Sequence, residues 1–182
     1  MAEPSDPALP SRAGNLVRDE VDELVARWRA ERPDLDVTPL QVLSRVSRLA
    51  RHLERARRAA FAAHELEVWE FDVLSALRRQ GPPYRLSPGA LLHATLVTSG
   101  TMTNRIDRLV AAGLVSRQPD ARDKRSVQVT LTPRGRTQVD AALTDLLDRE
   151  RLLLDRLDAA QQADLAGLLR VLLAPFDAHI PV

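Results

Sequence analysis

The stretch TMTNRIDRLVAAGLVSRQPDARDKRSVQVTLTPRG, residues 101–135, decides the fold. Its first part has helical spacing. At roughly 100° per residue, Met102, Ile106 and Leu109 fall within roughly 60° of one another and form one apolar stripe. Gly113 stands where a helix end favours a left-handed residue. A short apolar strand over 114–118 follows, then a Pro-Asp loop, then a second strand over 126–132 in which Val127, Val129 and Leu131 alternate. Upstream, Ser87 with Pro88 opens a short helix to about residue 94, and Thr98 or Ser99 caps the next one. Short helix, turn, helix and hairpin together predict a winged helix-turn-helix, in which the second helix enters a major groove and the hairpin tip reaches flanking DNA.

The flanks are helical. Residues 1–14 are rich in Pro, Ser and Ala without periodicity and read as a flexible tail. Asn15 is placed to cap a helix to about residue 29. Thr38-Pro39 begins a long helix to about 63, and a third covers 67–79, carrying Phe71, Val73, Leu74 and Leu77. GPPYRLSPG reads as a loop. Pro133 starts a helix to about 157, and Asp158 with Gln161 has capping-box spacing for the last, to about 174. Leu165, Leu168, Leu169 and Leu172 give that helix an apolar face larger than a small winged domain can cover. The expectation is a mainly α protein with a single domain over 15–182 and a winged-helix core over about 66–133. An extra N-terminal helix and C-terminal helices, 15–63 in part and 134–176, would pair two copies into a homodimer.

Composition narrows the function. The chain has 182 residues and no cysteine, which excludes disulfides, thiolate metal sites and thiol redox sensing. His52, His64, His93 and His179 lack metal-ligand spacing. No Ser-His-Asp arrangement, P-loop or Gly-rich nucleotide fingerprint occurs, so an enzyme is not expected, and neither is a cofactor. With no signal peptide and no apolar run of spanning length, the expected compartment is the cytoplasm, away from the membrane. Lys+Arg is 26 against 25 for Asp+Glu, so nucleic-acid binding must come from local patches. Residues 99–136 supply one, with eight Arg/Lys against three Asp, whereas 137–182 carry four Arg against eight Asp/Glu. Lys124 is the sole lysine, as a GC-rich genome would favour.

Residues 101–135 resemble the signature of the MarR family of bacterial transcription regulators, and the likeness extends over about 15–174. WRAERPDLD with Trp28, EFDVLSALRRQGPPYRLSPG and SGTMTNRIDRL further resemble the urate-responsive, HucR- and PecS-type branch. The third helix opens HELEVW, where the family commonly has a small polar cap; Glu67 takes that place. The resemblance implies a ligand-responsive repressor on a pseudo-palindromic operator in double-stranded DNA.

Two sets of residues follow. Opposite the apolar stripe lie Asn104, Asp107 and Arg108, with Thr101 at the edge. Together with Thr98, Ser99 and Thr103 these suit base edges and phosphates, Asp107 excepted. Arg122, Lys124 and Arg125 at the hairpin tip suit the DNA backbone, Arg122 also the minor groove. Arg105 is different, because it sits roughly 65° from the middle of the stripe, half turned inward. It needs an anionic partner, and Asp72 is the obvious one. That pair could be a plain internal ion pair or part of a ligand site. The resemblance implies the second, a quartet of Trp28, Asp72, Arg105 and Arg117 around a planar anion, urate first, with Arg117 facing inward. An aromatic acid or a tricarboxylate would suit two arginines as well, and an interaction module that binds no DNA is the reading from a different class. The acids Glu65, Glu67 and Glu70 read as a solvated first helical turn.

Overall fold

The computed structural model describes residues 18–95, 99–119 and 127–177. Two compact units, Met1–His52 and Leu53–Val182, stand where the sequence suggested one domain over 15–182. The division falls inside a single long helix, where helical periodicity gives no sign of a boundary.

In the first unit, α1 (Glu20–Glu31) is opened by Asp19. The Asp19 carboxylate accepts from the backbone N–H groups of Val21 and Asp22, and Asp22 accepts from the Asp19 N–H in return. The start is therefore Glu20; Asn15, expected as the cap, lies outside the described residues. A carboxylate at this end also complements the helix dipole. Arg45, on α2 (Thr38–Ala62), reaches both capping carboxylates at 2.8–2.9 Å, and Arg48 pairs with Glu20. Beneath them Val21, Val25 and Val37 form a small buried cluster.

The second unit holds the winged helix. Its elements are the end of α2, α3 (Val68–Arg79), β1 (Arg85–Leu86), α4 (Pro88–Thr95), α5 (Ser99–Ala111), β2 (Val115–Pro119), β3 (Val127–Leu131), α6 (Pro133–Leu154) and α7 (Ala159–Asp177). The strands form one antiparallel sheet in the order β1-β3-β2. β2 and β3 pair from Val115↔Leu131 to Pro119↔Val127, the expected hairpin. β1 corrects the reading of GPPYRLSPG as pure loop: Arg85 and Leu86 pair with Thr130 and Val129. Two residues are too short to show alternation, and this pairing depends on a strand more than 40 residues away.

The core lies where α3, α4, α5 and the hairpin meet. Phe61 stacks on Phe71 with ring centroids 3.9 Å apart, and Leu74, Leu77, Leu91, Met102, Ile106, Leu109 and Val129 are fully buried around them. Burial of each such side chain is worth about 1.5–3 kcal/mol.

The end of α5 is fixed by hydrogen bonds. Gly113 has φ +71°, and the Gly113 and Leu114 N–H groups donate back to the carbonyls of Val110 and Leu109 at 2.9 Å, which is a Schellman ending. The Leu114 carbonyl then accepts from the Thr132 N–H at 3.1 Å. The Thr132 hydroxyl caps α6 by accepting from the Gly135 N–H. A Cβ on Gly135 would lie 2.1 Å from the Leu114 carbonyl oxygen, so the backbones can approach this closely only at a glycine.

Candidate DNA face and anion groove

α5 carries both candidate functions on one rotation. Met102, Ile106 and Leu109 point into the core, while Thr101, Thr103, Asn104, Asp107 and Arg108 are exposed. The face expected for DNA is thus the solvent face. Ser99 opens the helix. Thr98, Arg122, Lys124 and Arg125 lie outside the described residues.

Arg105 is half-buried, as its angle required, but its neighbours differ from expectation. Asp72 pairs with Arg57 of α2 at 3.0 Å rather than with Arg105. The Arg105 guanidinium lies over the Trp69 ring instead, 5.3 Å from its centroid. The physical reason is competition from a third helix: α2 delivers an arginine to Asp72, and an indole offers Arg105 its electron-rich face. Arg117 corrects a second expectation. It is exposed on β2, and its guanidinium donates to Asp107 at 2.9 Å, along the outer side of α5. Arg117 can face outward because β2 is an edge strand with a solvated side. Trp28 belongs to the first unit, on α1, with 45 % of its surface exposed. Within the second unit, Arg117 lies apart, and Asp72 and Arg105 come together.

They do so in a groove of about 540 Å³ within the second unit, lined by Glu54, Arg58, Glu67, Trp69, Asp72 and Arg105 on an apolar floor that includes Leu66. That volume falls in the usual range for small-molecule sites, roughly 300–1,000 Å³. The carboxylates are matched: Glu54 accepts from Arg58 at 3.0 Å, Glu67 from Arg108 at 2.8 Å, and Asp72 from Arg57. Among the described residues, Arg105 is the groove's cation without an ion pair.

Trp69 carries no sequence expectation, and Glu67 is expected only as a first-turn acid at the cap position of the third helix. The Trp69 indole N–H donates to Glu67 at 2.6 Å, and the Arg108 guanidinium lies 4.7 Å from the Trp69 ring centroid. Glu67 also opens α3, where its backbone N–H donates to Glu70. The Arg108 guanidinium, then the indole N–H, holds the Glu67 carboxyl below the usual range, so it stays ionised near neutrality. A tryptophan two residues after an acid in HELEVW is the one signal that could have drawn attention here.

The chain matches the MarR family model over residues 64–126. It is 37% identical over 150 residues to the transcriptional regulator PecS of Dickeya dadantii, covering 82% of this chain and 90% of that protein. The chain belongs to the MarR family. A second relative, the transcriptional repressor NicR of Pseudomonas putida, is 33% identical over 75% of this chain and 87% of its own length. Among solved structures, a MarR mutant from E. coli complexed with operator DNA aligns with TM-score 0.62 and 27% identity, over 76% of this chain and 99% of that one. Bordetella bronchiseptica BpsR, whose DNA binding is regulated by 6-hydroxynicotinic acid, aligns with TM-score 0.54 and 30% identity over 70% of this chain and 91% of its own. In this MarR-family regulator the matched segment holds α3, α4, α5 and β2 and ends just before β3. Among the described residues, no helix is long and apolar enough to cross a membrane.

Proposed function

We propose that the protein is a dimeric repressor whose hold on a pseudo-palindromic operator is released by a small planar anion, urate first. The observation that carries this reading is Arg105: a half-buried cation, without an ion pair among the described residues, on the helix that presents the DNA-facing side chains. An anion that captured it would act directly on the recognition helix. The ligand would work by preferring the geometry that does not fit DNA. Likeness to PecS favours this class of regulator. Thr98, Ser99, Thr101, Thr103, Asn104 and Arg108 supply the major-groove contacts in this reading, and Arg122, Lys124 and Arg125 the backbone contacts.

A mobility-shift titration tests it. Urate should release operator DNA from the wild type and fail to release it from Arg105→Ala at the same concentration. Equal release from both proteins would refute the site. A second effector has a specific observation behind it: likeness to NicR, and to BpsR with its 6-hydroxynicotinic acid, favours a hydroxylated aromatic acid. A thermal-shift comparison of the two ligands separates them.

A further inference from the structure

Trp69 touches two arginines with different fates. Arg105 lines the groove and lies 5.3 Å from the indole centroid; Arg108, one turn on, lies 4.7 Å from it on the exposed side of α5. The indole N–H and Arg108 also share one acceptor, the Glu67 carboxylate, at 2.6 and 2.8 Å. A single ring therefore borders the groove and holds a side chain of the DNA face.

We infer that Trp69 is the aromatic wall of an anion site in this groove, and that the ring links occupancy of the site to Arg108. The inference rests on the proposal that a planar anion is the effector. Arg105 is drawn to the ring by its positive charge. An anion paired with Arg105 reduces that attraction, and a planar one replaces the guanidinium by stacking on the indole. The Glu67–Arg108 clasp is built on the same indole, and an anion stacked there releases DNA by holding that clasp closed and keeping Arg108 from phosphate. Coupling is reciprocal, so whatever phosphate does to Arg108 also alters the site for the anion. The ligand class is a bicyclic or hydroxylated aromatic anion; an aliphatic tricarboxylate could pair with Arg105 but not stack.

The chain holds two tryptophans, so fluorine NMR on the full-length, fluorotryptophan-labelled protein gives two lines, assigned with Trp28→Phe. Titration with urate should shift the Trp69 line, with a midpoint matching release of operator DNA. Trp69→Leu should raise the urate concentration needed for release about tenfold or more, the scale of losing one base–aromatic stack. Glu67→Gln should tighten operator binding at low salt by freeing Arg108 for phosphate. If urate releases DNA while the Trp69 line stays still, the wall is elsewhere and the inference fails, though the effector reading stands. If Glu67→Gln leaves operator affinity unchanged, the link to Arg108 is refuted. If urate moves neither line and releases no DNA, the effector reading falls, and this inference with it.

Discussion

Arg105 and Arg108 are three positions apart on α5 and share one ring, yet their other contacts differ completely. Helical angle foretold that much: one residue half turned in, the other exposed. Their partners were not legible, because a partner is chosen by whichever element arrives. Asp72 is the expected partner of Arg105 because it stands between Phe71 and Val73, where an apolar residue is usual; the structure gives Asp72 to Arg57, 15 residues upstream. No local pattern encodes that choice. Glu67 was read as a solvated end residue, and it is exposed, but with two hydrogen-bond donors on its carboxylate. Its pKa is depressed in the folded protein, so the stability it contributes is complete above the ordinary glutamate value and is lost as pH falls through the depressed one. Carbon-detected NMR of the Glu67 carboxyl should titrate below a free glutamate, and Arg108→Ala should move that midpoint upward. Because both side chains are more than half exposed, the pair is worth at most about 1 kcal/mol.

At the scale of elements, the hairpin and the helix before it were legible because strand alternation and a stop glycine agree. The two-residue β1 was not, since its pairing lies wholly outside local sequence. The joint between α5 and α6 makes the sharpest element-level prediction. Gly135→Ala would drive a methyl into the Leu114 carbonyl and should destabilise the winged unit by about 3 kcal/mol or more, read as a drop in the denaturation midpoint. Thr132→Ala removes a cap and should cost about 1 kcal/mol. At the hairpin tip, Arg122→Ala should lower the dependence of log K on log salt by about 0.9 if that residue meets a phosphate. An unchanged slope would take it out of the DNA contacts.

At the scale of the molecule, apolar surface remains uncovered. Leu168 and Val171 on α7 are 66% and 73% exposed, and Phe176 is 73% exposed. Isolated exposed leucines are ordinary, but a run along one helix marks an interface. The proposed homodimer would cover it. Leu168→Glu with Val171→Glu should leave the winged unit folded by circular dichroism, yield a monomer on sedimentation, and abolish tight operator binding. A monomer that still binds the full operator tightly would refute the two-fold reading. The unit boundary inside α2 was hidden from the sequence for a related reason. The first unit's buried cluster is just three valines, so no break in composition separates it from its neighbour.

The Leu114 carbonyl has a mechanical consequence. One oxygen receives Thr132 at 3.1 Å and leaves no room for a Cβ at position 135. The end of α5 and the start of α6 are thus held together at one close backbone contact. A tilt of α6 would bear directly on α5 through it. Two such arms joined as a pair would behave as a caliper with a stiff hinge. Its jaws would tolerate base changes between the half-sites better than one inserted base pair, which shifts and rotates one half-site relative to the other.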